Sequence, residues 1–281
     1  MRKVVDSNQL QSECLRSYLA ESNANFAILT DYAAMEAYKG ETLVSIYKSM
    51  RVVSEFPAQM IVLKNTRIAC GLSGKCSNLQ GRLIDKRQTQ EFKVYARSLR
   101  EAKQGNPSLQ YQILEYGKEA TKHLERMLND ARTIGAVFDE IARTYTKEER
   151  RLIRDGKIYT PALADKIVRN VLYIAGELFR NHPDVQRLPT YEELPGTFIF
   201  RAALCTYLLA LERGALGGAN STSPAKLRND MVDMNFAAYG TFFDGVLSAD
   251  ARVLHIHEQA RLFLTSLFEP HVSVLPGSPQ T

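Results

Sequence analysis

Short apolar runs separated by amphipathic stretches open this chain. Lys3-Val4-Val5-Asp6 is rich in β-branched residues and ends in an acid, Phe26 to Leu29 is apolar throughout, and Met60-Ile61-Val62-Leu63 is a third such run. Between the first two, Leu10, Cys14, Leu15, Tyr18 and Leu19 recur at helical spacing until Asn23-Ala24-Asn25 interrupts them. Thr30-Asp31 offers an N-cap to a helix carrying Tyr32, Met35, Glu36 and Lys39 up to Gly40. A further helix is expected from about Glu41 to Ser54, before Pro57. Strands alternating with helices in this way predict a parallel α/β sheet.

From roughly Gly81 to Pro195 the pattern changes to a helical period alone, with Leu109, Ile113, Tyr116, Leu124, Met127 and Leu128 followed by Ile134, Val137, Phe138 and Ile141. Asn106-Pro107, Tyr159-Thr160-Pro161 and the stretch from Asn181 to Pro195 punctuate it. The α/β alternation then returns. A helix is expected from Phe198 to Arg213, a loop over Gly217 to Pro224, a helix from Asp230 to Tyr239 and a strand from Gly245 to Ser248. A helix from Ala251 to Phe268 and a last strand from Val272 to Leu275 complete the pattern. Residues 1–80 and 196–281 thus read as one discontinuous α/β domain, and residues 81–195 as a large helical insertion in it.

Charge separates the same parts. From Lys64 to Arg187 there are 24 Lys and Arg against 15 Asp and Glu, a balance of +9, which leaves 12 against 16 elsewhere, or −4, for the chain's net +5. A basic middle between acidic ends suits a nucleic-acid-binding segment beside a carboxylate metal site, although long helices also carry solvated Lys/Glu faces. Four scattered cysteines, Cys14, Cys70, Cys76 and Cys205, make no disulfide scaffold and lack zinc-site spacing, so they read as reduced thiols. No stretch approaches the roughly 20 apolar residues of a membrane span, and Met1-Arg2-Lys3 leads into a strand instead of a signal-peptide core. No membrane association is expected, and the cytoplasm is the expected location.

Asp6 ends the first strand, Glu36 lies in the helix after the second, Asp230 stands near a helix start with Asp233 three residues on, and Asp250 follows the last internal strand. Open parallel sheets form sites beyond the carboxyl ends of their strands, where strand order reverses, and Asp6 and Asp250 would flank such a crevice. Asp230 and Asp233 share a helical face. Clustered carboxylates supply hard oxygen ligands for divalent cations. Each acid also has a local alternative: Asp6 as a helix cap, Asp230 and Asp233 as first-turn acids, Glu36 as an exposed helical residue. Asp244 precedes its strand, at the opposite end, and reads as a turn residue. Gly71-Leu72-Ser73-Gly74-Lys75-Cys76 lacks P-loop spacing, and His255-Ile256-His257 does not place its histidines on one face. Tyr95 and Tyr111, beside basic residues, are candidates for base stacking but fit a core or rim role better.

In Val4-Val5-Asp6-Ser7-Asn8-x-Leu10, Thr30-x5-Glu36, Asn229-Asp230-x2-Asp233 and Asp244-x3-Ser248-x-Asp250, the sequence resembles the PIN-domain family of metal-dependent nucleases. The resemblance covers about the first 65 and last 65 residues. It implies a three-layer α/β/α sandwich with a central parallel sheet, binding one or two Mg2+ or Mn2+ ions and hydrolysing phosphodiester bonds, most often in RNA. Asp6, Glu36, Asp230 and Asp250 match the family's acidic quartet, and Asp233 matches an additional acid. Asn8 and Ser248 fall at supporting positions. The family's habits extend to toxin-like and defence effectors, and the insertion departs from its compact members. RNA is the implied partner ahead of single-stranded DNA, with a protein partner or a second copy of the chain as a further expectation for the insertion. Two other readings stay open: a non-catalytic PIN-like scaffold binding RNA or protein, and a metal-dependent phosphatase or other hydrolase.

Overall fold

A computed structural model of the chain describes residues 1–39, 42–72, 74, 77–154, 160–215 and 223–268. The strand expected at Val272–Leu275 and the loop expected over residues 217–222 lie outside the described residues. The first strand, β1 (Arg2–Val5), runs into a single 3-10 turn at Ser7–Gln9. Helix α1 (Glu13–Glu21) starts after the N-cap Ser12, three residues later than Leu10, because the Ser12 hydroxyl accepts from Leu15 N. Strand β2 (Phe26–Leu29) is followed by α2 (Asp31–Tyr38), capped by Thr30 through Ala33 N at 3.1 Å. In place of one helix over residues 41–54 there are two, α3 (Leu43–Ser49) and α4 (Arg51–Glu55), meeting at Met50. Strand β3 (Met60–Val62) and the short helices α5 (Thr66–Gly71) and α6 (Leu79–Leu83) follow.

The middle of the chain is helical, as its period predicts: α7 (Lys86–Lys103), α8 (Pro107–Arg143), α9 (Lys147–Arg154) and α10 (Pro161–Asn181). Then come α11 (Phe198–Ala215), α12 (Pro224–Gly240), strand β4 (Val246–Leu247) and α13 (Ala251–Phe268). The expected start of α12 at Asp230 is corrected: Ser223 caps it through Lys226 N and Pro224 is its first residue. Asp230 and Asp233 therefore sit in the helix interior, and the first-turn reading of both falls.

Among the described residues the chain is mostly helical around a small, all-parallel, four-stranded sheet in the order β3-β2-β1-β4. β2 and β3 extend to one side of β1 and β4 to the other, so strand order reverses between β1 and β4. Val4 and Val5 pair there with Val246 and Leu247. Since all strands are parallel, Asp6, Thr30 and Ser248 leave the sheet at one edge. At the other edge Asp244 accepts from Arg2 N at 2.7 Å, the turn role expected of it. The helices of residues 81–195 pack onto the α/β elements: α7 lies along β3, and α8 against α2, α11 and α12. One apolar core runs through both parts, from Val4, Ile28 and Met60 to Ile113, Val171, Phe200 and Tyr239. Phe198 stacks on Tyr239 with ring centroids 4.2 Å apart, joining α11 to α12.

Candidate functional site

Asp6 is 1% exposed, at the carboxyl end of β1 where the strand order reverses. Its backbone N–H donates to Leu247 O across β4 at 3.0 Å, which fixes the side chain at the β1–β4 junction. Ser248 Oγ donates to Asp6 Oδ2 at 2.5 Å, and Asn8 Nδ2 donates to the same oxygen at 2.8 Å. Asn8 N and Ser7 Oγ approach Oδ1, each at 3.4 Å, so the capping role of Asp6 is realised together with its place at the sheet edge. Burial raises the Asp6 carboxyl above its ordinary range; the hydrogen bonds from Ser248, Asn8 and Ser7 counter this in part, and the nearby Asp250 adds to it.

The supporting positions knit the two ends of the chain together. Ser248 Oγ, while donating to Asp6, accepts from Asp250 N at 3.0 Å, and Ala249 N donates to Asn8 Oδ1 at 3.3 Å. Asp250 Oδ1 accepts from Arg252 N at 2.7 Å, which makes it a cap for α13 as well. Glu36 faces the same turn from α2: its Oε2 lies 3.3 Å from Ser7 Oγ and 2.6 Å from Lys39 Nζ. Ser7, standing between Asp6 and Glu36, was not singled out as a site residue from the sequence, where Ser7-Asn8 reads as turn and N-cap chemistry.

Asp233 completes the group from α12. Its carboxyl is pushed up to about 7, chiefly by burial and then by the charges of Asp6, Asp250 and Glu36, with Arg252 acting in the opposite sense. A shift with those three sources means that the four acids share one electrostatic environment.

Asp230, which the sequence pattern puts in the quartet, has a cationic partner of its own. It is buried in an ion pair with Arg213 of α11, and Arg252 Nη1 donates to its Oδ1 at 3.5 Å. A buried arginine next to an acid takes that acid's charge as its counter-ion, and this tertiary partner is invisible in local spacing. Arg252 ties the two settings together, lying 3.9 Å from Glu212 as well.

Comparison of the chain with models of protein families, with curated proteins and with solved structures finds no match for it. The functional reading rests on the residues themselves.

Four carboxylates on hard oxygen atoms are the donor set that Mg2+ or Mn2+ takes. The charge balance fits too, because a cation would offset the repulsion from Asp6, Asp250 and Glu36 that adds to the effect of burial on Asp233. As they stand, no three acids, histidines or cysteines among the described residues are gathered closely enough to hold an ion. The fit is therefore one of charge and chemistry, with side-chain adjustment needed to close the ligand set. His257 takes no part in the acid cluster: its ring packs on Gly240, and burial lowers its basicity. Cys14, Cys70 and Cys205 are free thiols, with Cys76 outside the described residues. Ser73 and Lys75 lie outside them too, which leaves half of the glycine-lysine stretch undescribed. No helix among the described residues is long and apolar enough to cross a membrane.

Proposed function

We propose that this chain is a metal-dependent nuclease of PIN-like, three-layer architecture, acting on RNA in preference to single-stranded DNA. Asp6, Glu36, Asp233 and Asp250 would hold Mg2+ or Mn2+. The observation that carries the reading is the hydrogen-bonded arrangement at the β1–β4 strand reversal, where Ser248 bonds both Asp6 and the Asp250 N–H and Ser7 stands between Asp6 and Glu36, the place where an open parallel sheet holds its ligands. A divalent ion bound there would supply an activated water and neutralise the charge developing on the leaving oxygen.

The protein's own groups divide the remaining work. Asp6, clamped by Ser248 and Asn8, is a fixed anionic ligand. Asp233, whose carboxyl titrates near 7 without metal, would give up its proton when an ion binds and join Asp6 as a ligand. Arg252, coupled to Asp233 and hydrogen-bonded to Asp230, places a cation beside the acids, where it would offset phosphate charge. The basic balance of residues 64–187 supports a polyanionic substrate.

One observation favours a second reading, a PIN-like scaffold that binds without cleaving: the described acids are not preassembled into a ligand triad. Labelled single-stranded RNA and DNA incubated with Mn2+, Mg2+ or EDTA separate the two. Cleavage by wild type that falls roughly 100-fold or more in Asp6→Asn, Asp233→Asn and Asp250→Asn supports the nuclease. Equal cleavage by all four proteins removes the site, and metal-independent RNA binding without cleavage leaves the scaffold.

A further inference from the structure

Helices α3, α4 and α7 enclose a crevice of about 300 Å3, away from the acid cluster's residues, whose walls include Tyr47, Arg51, Ser54, Glu55, Arg100 and Lys103. The Tyr47 and Ser54 hydroxyl oxygens are shut off from solvent, and neither has a hydrogen-bond partner among the described residues. A buried hydroxyl without a partner is a standing cost to the fold, relieved when a ligand supplies an acceptor. Glu55, the acid in this group of wall residues, is already taken: Arg16 Nε and Nη2 grip its two oxygens, each at 2.7 Å. Arg51 gives one long bond of 3.4 Å to Glu13, and Arg100 Nε donates to Ala96 O at 3.3 Å. Lys103 has no ion pair among the described residues.

Three cations, two idle hydroxyl donors and a neutralised acid form the complement of a tetrahedral oxyanion. We infer that this crevice binds a phosphoryl group, whose oxygens meet the charges of Arg51, Arg100 and Lys103 and, once the two side chains turn into the crevice, accept from the Tyr47 and Ser54 hydroxyls. Lys93 and Arg97 stand exposed on the same helix, α7, so the phosphoryl group can belong to a small phosphomonoester or to a nucleic-acid strand running along that helix. The site stands on this geometry alone and does not depend on the nuclease reading.

The test is binding by the full chain in EDTA, where cleavage cannot intervene, at matched ionic strength set with chloride. Inorganic phosphate and a short 5′-phosphorylated single-stranded RNA are the two probes, read by calorimetry. In the double variant Arg100→Gln/Lys103→Gln, both changes lie on exposed positions, and affinity should fall about tenfold or more for the probe that uses the site. Tyr47→Phe/Ser54→Ala should weaken the same probe about threefold or more while the ligand-free protein melts no lower than wild type, because the idle hydroxyls are gone. Loss with inorganic phosphate identifies a small phosphomonoester site, and loss with the RNA alone identifies a strand contact. If neither probe binds wild type more tightly than the double variant, the inference is overturned.

Discussion

Arg213 and Asp230 form an ion pair between α11 and α12 with side chains only 9% and 7% exposed. Removing one member of such a pair strands the other charge in the interior, which costs about 3–5 kcal/mol. Asp230→Asn should therefore lower the urea midpoint strongly, in the presence and absence of divalent metal alike. A variant that unfolds at the wild-type midpoint would show that the pair does not stabilise the fold.

Asp233, one turn away, should behave in the opposite sense. Its folded-state carboxyl titrates near 7 against an ordinary value of 3.8, so the folded chain holds that proton to higher pH than the unfolded chain does. Its contribution to stability is fully present below about pH 4, falls as pH rises towards 7, and stays lost above that. In metal-free buffer at pH 8, Asp233→Asn should be more stable than wild type by on the order of a few kcal/mol, with the difference vanishing at pH 4. Denaturation curves of both proteins from pH 4 to 8 check the sign. A wild type that gains stability over Asp233→Asn as pH rises contradicts the assignment.

Divalent cations should reverse that loss. A ligand at a hundredfold excess over its dissociation constant stabilises by about 2.7 kcal/mol, so Mn2+ should raise the wild-type melting temperature at pH 8 and less at pH 5.5, where Asp233 is protonated. Asp233→Asn and Asp250→Asn should each blunt the rise. Identical Mn2+ shifts in all three proteins would mean that the ion binds elsewhere.

Ser248→Ala removes a 2.5 Å hydrogen bond to the buried Asp6 carboxylate and the acceptor for Asp250 N. The cost should be about 1–3 kcal/mol, the range for leaving buried polar groups unpaired. The Asp6 carboxyl should also titrate higher than in wild type, because a bond that favours its ionised form is gone. Carbon-13 NMR of the aspartate side chains reads that shift directly. An unmoved Asp6 titration would show that Ser248 does not hold its charge.

The parts of the fold governed by neighbouring residues were legible in the sequence. Phe26 to Leu29 and the Thr30 cap are local features, and both are found as the pattern predicts. The helical middle follows from a 3.6-residue period sustained over many turns. Ser223-Pro224 misled, since the pair suits a turn as readily as an N-cap and first residue, and the choice moved Asp230 from a helix start to its interior. Among the acids, Asp6, Glu36, Asp233 and Asp250 were visible from strand ends and helix spacing. The ion pair of Asp230 with Arg213 was not visible, since Arg213 is a partner from another helix that no local pattern announces. Arg252 and Ser7 were missed for a similar reason: a search for carboxylates passes over the cation and the hydroxyl that tune them.

Two residue pairs, Val4 with Val246 and Val5 with Leu247, join β1 to β4, and the bond between Asp6 and Ser248 spans 242 positions. A strand of two residues cannot form early by itself, and its partner lies on the far side of the helical middle in the chain. As the chain leaves the ribosome, Asp6 and Glu36 emerge long before Asp233 and Asp250 exist. The nascent protein thus carries Asp6 and Glu36 without Asp233 and Asp250, and the site proposed on all four is incomplete until translation has reached Asp250.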